Sequence, residues 1–151
     1  MTIKADTYRE LAKHENIVAT KEASGNLSSV AEIAYECGDA LDIYSGNDDQ
    51  IIPIMSLGGI GVISVLSNIL PAETHQMCKA ALQGNFDLAS KLQIKYTGLI
   101  NALFSDVNPI PVKEAMNLMG MEAGPCRLPL YPMNDNAKSV LIQKLKECNC
   151  L

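Results

Sequence analysis

A lysine at the end of a short apolar, β-branched run is the residue of this chain best suited to covalent chemistry. Asn16-Ile17-Val18-Ala19-Thr20 reads as a strand, and Lys21 closes it. Desolvation at such a position disfavours the ammonium and exposes the amine lone pair for Schiff-base formation with a carbonyl. The competing reading turns Lys21 outward into water or pairs it with Glu22. Ser45-Gly46-Asn47-Asp48-Asp49 offers carboxylates, yet three neighbours on one turn cannot supply the convergent oxygens of a divalent-cation site, and they read as caps for the following helix. Gly58-Gly59-Ile60-Gly61 precedes a strand, whereas a dinucleotide fingerprint lies between strand and helix; these glycines read as a helix stop. Cys148 and Cys150 have no second cysteine pair to complete a four-ligand site, and His14 and His75 are the only histidines. No metal and no cofactor is expected.

The elements that must position these groups alternate early and turn helical late. A helix over 3–15, with Asp6 near its start, is followed by the strand ending near Lys21, a helix over 26–38 stopped by Gly38, and a strand over 41–44. A short helix over 51–57 and a strand over 61–65 complete three strand–loop–helix units, which favours parallel strands with crossover helices. Beyond Pro71 the pattern gives helices over 72–83, 86–103, 112–118 and 134–148, with Asn108-Pro109-Ile110-Pro111 as a rigid extended entry to the third. The change of texture divides the chain into an α/β part, 1–83, and a helical part, 84–151. In parallel α/β proteins ligands bind outside the carboxyl ends of the strands. Those ends carry Lys21, Ser45 to Asp48, and Ile63 to Val65.

Composition narrows the partners. With 151 residues, 48% of them hydrophobic, the chain can fill a core. Twelve basic against seventeen acidic residues give a net charge of −5, which provides no footprint for nucleic acid or for an anionic membrane surface. The stretch 50–72 carries no charged residue, but Pro53, Gly58, Gly59, Gly61 and its serines argue against a membrane span. Five cysteines at irregular spacing, with no signal peptide ahead of them, read as reduced thiols of a cytoplasmic protein.

Four blocks in order, Lys21-Glu22-Ala23-Ser24-Gly25-Asn26, Ser45-Gly46-Asn47-Asp48-Asp49, Leu57-Gly58-Gly59-Ile60-Gly61-Val62-Ile63-Ser64-Val65 and Asn108-Pro109-Ile110-Pro111-Val112-Lys113, together resemble the dihydrodipicolinate synthase family, with Arg127-Leu128-Pro129-Leu130 as a fifth. The N-acetylneuraminate lyase branch of the same superfamily shares the lysine but differs at the Asn-Pro-Ile-Pro-Val-Lys block. The resemblance implies an α/β fold: part of a TIM (β/α)₈ barrel, strands six to eight with their helices, followed by a carboxy-terminal helical subdomain. It implies a lyase of lysine and diaminopimelate biosynthesis in which a lysine imine of pyruvate becomes an enamine and attacks aspartate semialdehyde. Lys21 matches the imine-forming lysine, and Ile63 the strand end whose backbone contacts pyruvate. Gly46 and Asn47 match the turn bordering the second-substrate pocket, where many relatives carry aspartate at the latter position. Leu27, Ser28 and Leu57 match positions between dimers in family tetramers, so a homo-oligomer is implied.

The resemblance also implies a complement. The chain looks like the second half of the family protein, with three strands where a barrel of about 250 residues has eight. The other half carries the family's paired threonines, relay tyrosine and aldehyde-binding arginine. The expectation is a chain inactive alone, active or not only in association with an amino-terminal half, and with the inward faces of Val18, Ile43 and Val62 or their neighbours lacking an opposing layer.

Overall fold

The structure, a computed structural model, describes residues 2–151. Helices α1 (Ala5–Leu11), α2 (Leu27–Cys37) and α3 (Ile51–Ser56) alternate with strands β1 (Ala19–Glu22), β2 (Asp42–Ser45) and β3 (Gly61–Val62). The strands form one parallel sheet in the order β1-β2-β3, with Lys21 beside Tyr44 and Tyr44 beside Gly61. Four helices follow: α4 (Pro71–Leu82), α5 (Phe86–Leu103), α6 (Ile110–Leu118) and α7 (Asp135–Glu147).

Where boundaries differ from the sequence expectation, hydrogen bonding decides. Ile17 N–H is spent on the His14 carbonyl in the turn after α1, so pairing begins only where Val18 O accepts the Asp42 N–H, and β1 carries Lys21 inside it rather than at its end. The third strand is two residues long because the chain turns at Val65 and Leu66 into a 3₁₀ turn at Leu66–Asn68. Asp6 does not cap α1: Lys4 holds the N-cap without a side-chain bond, and the helix stops at Leu11. Ile110 and Pro111 are helical rather than extended, since a proline in the first turn lacks only an N–H that would have no partner there.

The caps explain several residues singled out by sequence. Gly58 has φ +96° after α3, its N–H bonds to Met55 O, and Gly59 N–H reaches Ile54 O, the paired bonds of a Schellman ending. A Cβ on Gly59 would lie 2.8 Å from Ile54 Cγ2 and 2.9 Å from Ile54 O. Cys148-Asn149-Cys150 is the same device on α7: Asn149 has φ +57°, its N–H donates to Lys146 O at 3.0 Å, and Cys150 N–H donates to Leu145 O at 2.9 Å. The two cysteines flank a helix stop.

Two cores result. Val30, Ile33, Cys37, Leu41, Ile43 and Ile54 pack α2 and α3 against one face of the sheet. A larger core joins α3 to α7 through Met77, Leu99, Leu103, Leu141 and Leu145, and so continues across residue 83. Alternation along each strand sends Ile43 and Val62 to the helix side and Ala19, Lys21, Asp42, Tyr44 and Ile63 to the other. On that second face Ala19, Lys21 and Asp42 are exposed, and Ile63 is 51% exposed. The bare layer is therefore carried by neighbours of Ile43 and Val62, not by those residues themselves.

Candidate active site at the strand ends

The carboxyl ends of the three strands stand side by side, and Ser45 joins two of them. Fully buried, it accepts the Ile63 N–H at its carbonyl (2.8 Å), while its hydroxyl donates to Asn47 O (2.7 Å) and accepts the Asn47 N–H (3.2 Å). Lys21, one strand over, is exposed on the bare face, so the desolvation expected from its apolar strand is absent from the surface described. Glu22 is buried on the opposite face, where its Oε1 accepts the Ser24 N–H, and it does not serve as a partner for Lys21.

Gly46 meets Lys21 directly. A Cβ at Gly46 would lie 2.9 Å from Lys21 Cε, 3.1 Å from Lys21 Cγ and 2.6 Å from the Ala23 Cβ. The lysine stem thus occupies the space that a side chain at position 46 would fill. Asn47 sits beside the loop after β1, its Nδ2 3.9 Å from where a Gly25 Cβ would be, and Gln50 Nε2 donates to Gly25 O at 3.1 Å.

Asp48 does not cap the helix after it; the reason is a better pair of donors elsewhere. Its Oδ2 accepts the N–H groups of Val65 (2.8 Å) and Leu66 (3.0 Å), at the start of the 3₁₀ turn beyond β3. The Asp48 charge is also felt by Cys78 on α4, whose thiol is pushed up by burial first and by that carboxylate second. Gln93 of α5 completes the arrangement, with Nε2 donating to Asp48 O (2.8 Å) and Oε1 accepting the Ile52 N–H (3.3 Å). Sequence reasoning placed Ser45 at a strand end without its bridging bonds, and missed Gln50 and Gln93. The one signal for Gln93 was a polar residue four after Ala89 and three before Tyr96 on a buried helix face.

Two clefts are open on the surface of the chain, and the lysine is in the wall of neither. One of about 540 Å³ lies among Ile110, Lys113, Asn117, Pro125, Leu128 and Tyr131, and one of about 480 Å³ lies between the first residues, Glu22 and α2. Among the described residues no cluster of three or more histidines, cysteines and carboxylates could hold a metal, and no helix is long and apolar enough to cross a membrane.

The profile of the Dihydrodipicolinate synthetase family matches residues 1–148. The chain belongs to that family. The 4-hydroxy-tetrahydrodipicolinate synthase of Caldicellulosiruptor saccharolyticus is 55% identical over 145 residues, 96% of this chain and 49% of the relative. That of Clostridium perfringens strain SM101 is 56% identical over 137 residues, covering 91% and 47% respectively. The crystal structure of dihydrodipicolinate synthase from Aquifex aeolicus superposes with a TM-score of 0.95 at 39% identity, over 98% of this chain and 51% of that one. The chain spans about half the length of the curated relatives it matches, and its fold superposes on half of the Aquifex aeolicus structure.

Proposed function

We infer that Lys21 is the imine-forming residue of a condensation between pyruvate and aspartate semialdehyde, carried in half of a (β/α)₈ barrel. The observation that supports this most is the position of Lys21 on the cleared surface of Gly46, at the carboxyl end of a parallel strand and two strands from Ile63, in a chain of this family. The Lys21 amine adds to the keto carbon of pyruvate and the adduct loses water, giving the imine. Loss of a methyl proton gives the enamine, whose carbon bonds to the aldehyde carbon of the second substrate as the carbonyl oxygen takes up a proton. Hydrolysis, or attack by the product's own amine, then releases Lys21. Ile63 offers backbone to the pyruvate, and Gly46 with Asn47 borders the aldehyde substrate. The reaction is a lyase-type carbon–carbon bond formation of lysine and diaminopimelate biosynthesis in the cytoplasm, and it uses no cofactor.

Residues 1–83 take the place of strands six to eight with their helices, and 84–151 the helical subdomain. An imine-forming lysine works in a dry, pre-organised pocket with a proton relay, whereas Lys21 is exposed on a three-stranded face. The exposure of Lys21 favours a second reading for the chain by itself: a non-catalytic partner until an amino-terminal half closes over it. Borohydride trapping with pyruvate, read by intact mass and peptide mapping, tests both on the chain, on Lys21→Ala, and on the chain mixed with the amino-terminal half of a relative. An adduct at Lys21 that is lost in the variant supports the imine. Its appearance only in the mixture supports the partner reading, and its absence from both refutes the imine.

A further inference from the structure

Asp48 is 1% exposed, and a carboxylate taken out of water costs several kcal/mol unless donors surround it. Two backbone N–H groups meet its Oδ2, while its Oδ1 has no hydrogen-bond partner among the described residues. Gln93 is 8% exposed in the middle of α5 and reaches 45 positions back along the chain to the Asp48 carbonyl. A buried polar network of this kind is poor value for stability alone, since well-packed apolar side chains do as well; its worth lies in fixing one geometry.

The geometry it fixes is that of the third strand end. The ladder there is weak: β3 has two residues, with β2 on one side and no strand on the other among the described residues. Ile63 N–H is held by Ser45 O, and two residues on, Val65 and Leu66 are held by Asp48. Ile63 is thus suspended between an anchor on β2 and an anchor on the loop after β2. Gln93 in turn holds that loop to α5, and through the Ile52 N–H to the start of α3.

We propose that Asp48 and Gln93 are positioning residues that hold the Ile63 strand end on the sheet face it shares with Lys21, through backbone hydrogen bonds and without touching substrate. The role of Ile63 rests on the function proposed above; the clamp itself does not. It also gives the helical part of the chain a task at the site, because α5 supplies the residue that fixes the loop.

The test is backbone amide exchange by NMR on this chain, on Asp48→Ala, Asp48→Asn and Gln93→Met, with a pyruvate titration of the borohydride-trapped Lys21 adduct alongside. In Asp48→Ala, exchange at Val65 and Leu66 should accelerate about tenfold, the scale of a lost hydrogen bond to a charged group, while Leu141 and Leu145 in α7 keep their rates. Asp48→Asn retains an acceptor and should recover part of the protection. Gln93→Met keeps the volume and loses only donor and acceptor; it should loosen the same two amides, and it decides the matter should Asp48→Ala not fold. Unchanged rates at Val65 and Leu66, or equal acceleration in α7, overturn the clamp. Where Lys21 is trapped, Asp48→Ala should raise the half-saturating pyruvate concentration and leave the plateau in place; an unmoved concentration overturns the positioning role. Absence of any Lys21 adduct on the unsubstituted chain counts against the imine, and the exchange pattern then decides the clamp by itself.

Discussion

Gly46 shows how little a residue type says until its neighbours are placed. Its φ is not in the left-handed region, so the backbone does not demand glycine; the space does, because Lys21 and Ala23 already fill it. Gly46→Ala should therefore destabilise the chain by about 1–3 kcal/mol, the usual range for overpacking, read as a lower urea midpoint. Adding Ala23→Gly removes the 2.6 Å approach and should restore part of the loss; no recovery would assign the clash to the lysine stem. The thiols of Cys37, Cys78, Cys148 and Cys150 are all pushed up by burial. A group whose folded pKa lies above its unfolded one supports folding below the unfolded value, and that support is lost as pH rises through the folded one. The urea midpoint should fall above about pH 8.5, where unfolded thiols ionise, and less steeply in Cys78→Ala. An identical slope in that variant would remove Cys78 from the account. Lys21 drew attention in the sequence as a charged residue closing an apolar run, and the structure places it inside β1, one residue before the strand ends. Asp48 was legible only as an acid near a helix start, since its donors come from Val65 and Leu66, 17 and 18 residues away.

At the scale of elements, helices were easier to read than strands because their information is local. The stretch 86–103 is marked by its own periodicity, and Asn85 caps it by accepting the Leu88 N–H. Strand length depends on where the chain is turned away by distant partners, and so β3 ends at Val62 although Ile63 and Val65 extend the β-branched pattern, because Asp48 draws Val65 and Leu66 into the 3₁₀ turn. Caps give sharp predictions at this scale. Asn26 accepts from the Ser28 and Ser29 N–H groups at the start of α2, and Asn26→Ala should cost about 0.5–2 kcal/mol, with Asn26→Asp or Asn26→Ser largely sparing the thermal midpoint. Gly59→Ala drives a Cβ into Ile54, a fully buried residue of the smaller core, and should cost about 1–3 kcal/mol. An equal loss in Gly58→Ala would be a backbone effect instead, because nothing lies within 4 Å of a Cβ there while its φ is +96°.

At the scale of the molecule, the two faces of the sheet are unequal in a way that length explains. One face is covered by α2 and α3; the other presents Ala19, Lys21, Asp42, Tyr44 and Ile63, and both β1 and β3 have an edge without a strand among the described residues. Open edges are pairing sites, and a parallel α/β sheet is normally covered on both faces. The chain spans 47–51% of the relatives' length while matching nearly all of itself, and under the function proposed above the expected cover for this face is the amino-terminal half of such a relative. The sequence motifs carried that deficit plainly, by their number and order, but not which residues would be left bare, because that depends on the phase of each strand and not on its composition. Acetylation footprinting makes the expectation measurable. In the chain alone Lys21 should be modified as readily as Lys91, which is 72% exposed on α5. Mixed with the amino-terminal half of the Caldicellulosiruptor saccharolyticus relative, Lys21 should become protected while Lys91 keeps its rate. Equal protection of both would mean non-specific association, and unchanged modification of Lys21 would mean that the bare face does not accept the complement, leaving the chain with a nucleophile but without a pocket to use it.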